Sequence, residues 1–372
     1  MVKSTKILLQ KPWRFSEDSP YYTSLCEYSP KGIEYINPSK NTFAQNKEKL
    51  RFLNWLKGFV RKSIRKFYPS MPNVRYTKND EKYDLIHCTR CMSSNKHPWI
   101  CDIEFVGNFW TGGYSSNYPS KKKVLKYLMS PYCKKIMAWT EWCANDIKRI
   151  LPEIAHKVEV VYPAIPEKKF KKIKTGKTVL LFVSRKFYFK GGLYAIEVMD
   201  RITKENENVE GWVVSDVPDE ILEKYSGNKQ IKFLGMKTHK ELNKKIYPAA
   251  DIFLYPSFTD TFGFAILEAM SFGLPVVTCS GQSRKELIEE GKNGFVVDLD
   301  KKQERNDIYD LSRQKRTVEN ILKRTIFLMN NRKLTKKISG NNIMKIKKGN
   351  FSIKKRNKEI HSILNEVEGV KN

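Results

Sequence analysis

Long apolar runs are the first thing this chain lacks. TVLLFV, Thr178–Val183, is among the longest, far short of the roughly 20 residues that a membrane-spanning helix needs. The opening MVKSTKILLQKPW begins basic, but its apolar stretch is too short for a secretory signal. The expectation is a cytoplasmic protein. Cysteine is scarce: seven residues, odd in number and scattered, which argues against a disulfide frame and for reduced thiols. Cys88 and Cys91 form one CxxC, with His97 and Cys101 nearby. No clean second pair follows, so no metal is expected. Low-complexity tracts and short-period repeats are also missing. Hydrophobic residues at 40% and aromatics at 12% exclude disorder. A length of 372 residues suits two domains rather than one.

Negative charge is the scarcer sign, with 40 acidic residues against 69 basic and a net charge of +29. Residues 323–358 hold no acid at all. Nucleic acid, an anionic membrane surface and a phosphorylated substrate all answer to such an excess. A lysine-rich surface without a dedicated partner answers equally well. No nucleic-acid motif accompanies the charge, which makes nucleic acid the disfavoured partner. KLRFLNWLKGFVRKSIRKF places Leu53, Leu56, Val60, Ile64 and Phe67 at helical spacing among Arg51, Lys57, Arg61, Arg65 and Lys66. Residues 47–68 are therefore a candidate for peripheral association with the inner face of an anionic membrane. A helix packing on its own sheet is the commoner use of such a pattern.

What is present in abundance is alternation. KILLQ, YDLIHC, PWICDIE, KIMAWT and KVEVVYP read as strands, with helical stretches such as TEWCANDIKRIL between them. YPAIPEKKFKKIKTGK reads as a linker. A second series follows: TVLLFVS, GGLYAIEVMDRI, VEGWVVS, DEILEKYS, IKFLG, HKELNKKIYPAA, DIFLYPS, FAILEAMSF, VVT and GFVVDLD. The fold class predicted is α/β, two Rossmann-like doubly wound domains facing a cleft.

Two loops of the second series carry chemistry. FVSRKFYFKGG sets Arg185 and Lys190 after a strand, with Gly191 and Gly192 opening a helix, an arrangement suited to a diphosphate. A solvated basic loop is the plain alternative. DTFGFAILEAMSFGLPVV sets Asp260 and Glu268 around a glycine turn, one in the loop and one about a turn into the helix. Both loops fall at carboxyl ends of strands in one domain, where ligands of open sheets collect.

Together these segments resemble the retaining glycosyltransferases of the GT-B fold, family 4, also called glycosyl transferases group 1. The resemblance runs through SRKFYFKGG, IKFLGMKTHKEL, YPAADIFLYPS, DTFGFAILEAMSFGLPVV and GKNGFVVD, and extends to GNFSIKKRNKEIHSIL. It implies a nucleotide-sugar donor, UDP- or GDP-linked, and hexosyl transfer to a glycan or lipid-linked acceptor in polysaccharide or glycoconjugate synthesis. No cofactor and no metal are implied. The family pairs two acids with seven residues between them, as Asp260 and Glu268 are spaced. By resemblance Glu268 holds the ribose, Asp260 the transferred sugar, and the backbone of Thr261, Phe262, Gly263 and Phe264 lines sugar and phosphate. Arg185, Lys190 and Gly191 face the diphosphate, and the backbone near Leu234–Met236 faces the base. The family's usual acid at the first position is Glu; Asp260 is one methylene shorter. The implied domains are 1–165 for the acceptor, 166–345 for the donor, and 346–372 as a helix returning to the first domain.

The first half matches less closely. KPWRFSEDSPYY has no glycine where the family's first loop is glycine-rich, and WICDIE ends in Asp102 and Glu104 where the family often has His. Asp102, Glu104 and His87 are candidates for sugar or acceptor contact, set against structural capping and a satisfied core histidine. Asp298 and Asp300 in DLD imitate a metal pair but read as a strand terminus. Other GT-B activities, a sugar-phosphate synthase or an epimerase, remain alternatives, as does a basic nucleic-acid-binding protein on the same fold.

Overall fold

The computed structural model describes residues 4–10, 20–36, 56, 58–60, 63, 66–113, 118, 120–299 and 311–369. Contacts divide the chain into two units, Met1–Ala164 with Ile353–Asn372, and Ile165–Ser352.

The first unit contains β1 (Thr5–Gln10), α1 (Pro20–Glu27), β2 (Ile33–Ile36), β3 (Val74–Arg75), β4 (Leu85–Thr89), β5 (Met92–Ser93), β6 (Trp99–Ile103), α2 (Lys121–Leu128), β7 (Cys133–Ala138), α3 (Glu141–Ile150) and β8 (Val158–Val160). Its main sheet runs β2-β1-β4-β6-β7-β8, and every pairing is parallel. β4 and β6 are buried along their whole length, as strands covered on both faces must be. Thr140 starts α3 by accepting from the Cys143 amide at 3.1 Å, and the helix buries Cys143, Ala144, Ile147 and Ile150 on one stripe.

The terminal helix Ile353–Gly369 belongs to this unit. Ile360, Ile363, Leu364 and Val367 form its buried stripe. Arg356, fully buried, donates to Ser24 Oγ at 3.1 Å and to the Tyr28 carbonyl at 2.7 Å.

The second unit contains β9 (Thr178–Val183), α4 (Gly192–Glu205), β10 (Val209–Val214), α5 (Asp219–Lys224), β11 (Ile231–Phe233), β12 (Ile252–Tyr255), α6 (Phe264–Ser271), β13 (Val276–Cys279), α7 (Arg284–Leu287), β14 (Gly294–Val297), α8 (Lys315–Asn330) and α9 (Arg332–Lys347). A helical stretch covers His239–Glu241, Leu242–Ile246 and Tyr247–Ala249. The sheet order is β11-β10-β9-β12-β13-β14, again all parallel. From β9 the chain builds outward through β10 and β11, then returns to build the other way from β12. The switch point of this sheet is therefore the β9–β12 pair, where Ile252 faces Leu180 and Phe253 faces Leu181. The loops leaving those two strands diverge there and leave room for a ligand.

The apolar runs named from sequence became strands with ends within a few residues. Reading by periodicity did not anticipate α1, α2, β2 or the small β3–β5 sheet. IEYI is too short to show a period, and KKKVLKYL begins with three lysines that hide its two buried positions, Val124 and Leu128.

Replacing Arg356 by Met is expected to cost about 2 kcal/mol, because it leaves buried carbonyls of α1 and the following turn without their charged donor. A lowered urea midpoint, with earlier proteolytic release of the terminal helix, is the measurement that checks this.

Candidate active site

The two switch-point loops are joined at short range. Gly191 has φ +76°, and a Cβ there would lie 2.0 Å from the carbonyl oxygen of Pro256, just beyond β12. Only glycine permits both the conformation and the approach. Its own carbonyl accepts from the amides of Tyr194 and Ala195 and so starts α4. The Phe258 amide adds a bond of 3.3 Å to the Phe189 carbonyl.

This approach brings Lys190 onto Asp260. Lys190 Nζ lies 3.0 Å from Asp260 Oδ2 and donates to the Thr259 carbonyl at 2.6 Å; the two side chains are 18% and 15% exposed. Tyr255, at the end of β12, donates its hydroxyl to the same Oδ2 at 2.7 Å. Burial first, and the carboxylate second, hold that phenol far above its ordinary pKa, so it stays a donor. All of these bonds use Oδ2 and none uses Oδ1.

Gly263, at φ +100°, turns the chain into α6. First-turn amides of a helix lack partners in their own helix, and the helix dipole favours anions there. Phe262 is buried and packs edge-on to Phe264, ring centroids 4.9 Å apart, whereas Thr261 and Phe264 are half-buried. Glu268 follows on α6. Its Oε2 accepts from the Tyr247 hydroxyl at 3.0 Å, and His239 Nδ1 stands 3.8 Å from Oε1. Burial raises the Glu268 carboxyl above the usual range, while His239, Tyr247, Lys168 and Arg185 pull against that rise. Arg185 is exposed, and its charge reaches the Glu268 carboxylate. The second unit thus collects Arg185, Lys190, Gly191, Asp260 and Glu268. Met236 is 48% exposed beyond β11.

The first-unit candidates behave differently. His87 and Asp102 are wholly buried, with Nε2 and Oδ2 3.5 Å apart. Asp102 Oδ1 accepts from the Tyr22 hydroxyl at 2.9 Å and the Arg90 amide at 3.0 Å. Glu104, half-buried, faces Arg90 Nη1 at 3.5 Å. Cys88 and Cys91 are core residues, and Cys88 Sγ lies 3.3 Å from Gln10 Oε1. Among the described residues no three His, Cys, Asp or Glu side chains are grouped to hold a metal ion. Asp298 is exposed beyond β14 and pairs with Lys285 at 3.3 Å; Asp300 lies outside the described residues. So do Arg51, Leu53, Lys57, Arg61, Ile64 and Arg65 of the basic amphipathic stretch. Of its described residues, Leu56, Phe59, Val60 and Phe67 are exposed. No helix among the described residues is long and apolar enough to cross a membrane.

Sequence reasoning missed Tyr247, Tyr255, Gln282 and Arg284. The Gln282 side-chain carbonyl accepts from the Asp260 amide at 2.7 Å, and Arg284 Nη1 donates to the Asp260 carbonyl at 2.5 Å. Gly281 just before them was the available signal.

Two doubly wound parallel-sheet units, one with paired carboxylates and cations at its switch point, define the GT-B class of fold. Residues 164–339 match the family model described as glycosyl transferases group 1. An uncharacterised glycosyltransferase of Methanocaldococcus jannaschii is 27% identical over 248 residues, 58% of this chain and 63% of that protein. O-antigen chain mannosyltransferase B of Escherichia coli is 40% identical over 88 residues, 24% of this chain and 22% of its own. The chain thus spans less than two thirds of either curated relative. The crystal structure of Anabaena HepE in complex with UDP-glucose superposes with a TM-score of 0.62 at 14% identity, covering 97% of this chain and 99% of HepE.

The raised Glu268 carboxyl makes a pH-dependent prediction. The folded protein holds a proton there more tightly than the unfolded chain, so this group's contribution to stability falls as pH rises through the carboxyl range. Glu268→Gln keeps an acceptor for Tyr247 without the charge. Its Tm should exceed that of the wild type at neutral pH. The two should converge below about pH 4, where the acid is neutral in both states. Differential scanning calorimetry across pH reads this directly.

Gly191→Ala should destabilise by about 2 kcal/mol or more, from strain at positive φ plus the clash with Pro256. Its urea midpoint checks this.

Proposed function

We propose that the chain is a retaining glycosyltransferase that moves a hexose from a nucleoside-diphosphate sugar to a glycan or lipid-linked acceptor. The observation that carries the reading is the Lys190–Asp260 contact, set beside Glu268 at the switch point of a parallel sheet. A donor of this kind needs cations for its diphosphate and carboxylates for its hydroxyls, and this site offers both. UDP is the favoured nucleotide, since HepE was solved with UDP-glucose.

In this reading Glu268 accepts from the ribose hydroxyls and Asp260 Oδ1 from a hydroxyl of the transferred sugar. The amides of Thr261–Phe264 and the α6 dipole face sugar and phosphate, and Met236 lies beside the base. Bond breaking leaves the electron pair on the diphosphate, where Arg185 and Lys190 counter the charge. Preorganised donors at such a position contribute roughly 3–4 kcal/mol each. The acceptor oxygen attacks the anomeric carbon on the face the diphosphate leaves, and its proton passes to a phosphate oxygen. No protein nucleophile and no metal take part. The acceptor falls to the first unit in this reading, with half-buried Glu104 and buried His87 and Asp102 as its candidates. The terminal segment is assigned to that unit as well.

Peripheral membrane binding through residues 47–68 belongs to the same reading. It draws on the net charge of +29 and on exposed Phe59 and Phe67. Flotation with anionic vesicles at low salt should recover the protein in the lipid fraction.

A thermal-shift panel with UDP, GDP, ADP and dTDP tests the donor site. At 100 times its Kd a ligand stabilises by about 2.7 kcal/mol. UDP should raise the wild-type Tm and leave Arg185→Ala/Lys190→Ala unchanged. A shift equal in both proteins would move the diphosphate elsewhere.

A further inference from the structure

We propose that Arg284 is a positioning residue that fixes Asp260 to receive the transferred sugar, an inference that rests on the donor reading above. Arg284 is fully buried at the start of α7 and forms no ion pair among the described residues. Its guanidinium instead spends five hydrogen bonds on carbonyl oxygens. Nη1 donates to the Asp260 carbonyl at 2.5 Å and to Gln282 Oε1 at 3.0 Å. Nη2 reaches the carbonyls of Phe258 and Ser280, each at 3.4 Å, and Nε that of Cys279 at 3.3 Å. These acceptors come from two loops, one leaving β12 and one leaving β13. Arg284 bolts them together.

Gln282 completes the device. Its Oε1 accepts from both Arg284 and the Asp260 amide. Asp260 is therefore held at its amide, its carbonyl and, through Tyr255 and Lys190, at Oδ2. A carboxylate one methylene shorter than glutamate gains its reach from where the backbone sits, and these bonds set the backbone.

The surrounding geometry is costly in ways that a plain surface loop would not retain. Gln282 adopts φ +42°, a left-handed conformation outside glycine. Gly281 has φ +130°, and a Cβ there would stand 2.4 Å from Arg284 Nη2. A guanidinium without a paired anion is itself expensive to bury. Burial lowers its proton affinity, and the Asp260 carboxylate opposes that loss. The positive charge under the loop also favours an anionic ligand above it.

The test uses Arg284→Gln, Arg284→Lys and Gln282→Ala, the last leaving the buried guanidinium in place should the arginine variants fold poorly. Without ligand, hydrogen exchange in residues 258–264 should quicken by about tenfold, while residues 266–271 of α6 keep wild-type rates. Unchanged exchange in 258–264, or an equal loss of protection along α6, overturns the proposal. With UDP and UDP-glucose as probes, UDP affinity should stay within about twofold of wild type while UDP-glucose weakens about tenfold. Asp260→Ala should show the same split. Parallel weakening of both probes overturns the sugar role, being what loss of stability alone produces. A wild-type protein that binds neither probe overturns the donor reading, and exchange then still decides whether Arg284 holds the loop.

Discussion

The candidate site depends on how closely two loops approach at one point, the contact of Gly191 with the carbonyl of Pro256. In a parallel doubly wound sheet the connections diverge where strand order reverses and leave a crevice between the loops. At β9 and β12 the separation is removed by deleting a side chain: a Cβ at 191 would lie 2.0 Å from that oxygen. Once the loops meet, Lys190 reaches both Thr259 and Asp260, and α4 starts from the same turn. The Lys190–Asp260 contact and the start of α4 share one glycine.

Around that contact the charges are balanced against each other, not against water. Asp260 has Lys190 at 3.0 Å and Arg284 on its carbonyl. Glu268 has only the Tyr247 hydroxyl, a distant His239 and the field of Arg185 and Lys168, and its burial outweighs them. That balance is why Gln in its place is expected to suit the unliganded fold better. Asp260 is anchored and Glu268 is poised. The two acids of one motif thus stand in different electrostatic conditions, set by what packs on each.

Much of the second unit was legible in the sequence. Its strands are short and mostly apolar, and the DTFGFAILE turn carries its own conformational signature in Gly263. What escaped were contacts between residues distant along the chain. Arg284 reads as one more cation in a lysine-rich protein; its burial follows from carbonyls up to 26 residues away. Tyr247 and Tyr255 read as strand and helix aromatics, and only packing turns their hydroxyls onto Glu268 and Asp260. In the first unit, His87 lies within β4 and Asp102 near the end of β6, both at zero exposure and 3.5 Å apart.

The most direct measurement is a crystal structure of the protein soaked with UDP-glucose. The account predicts the diphosphate between Arg185, Lys190 and the first turn of α6, the ribose on Glu268 and the glucose on Asp260 Oδ1. A nucleotide bound away from the switch point of β9 and β12, or reversed so that its base meets Asp260, would contradict it.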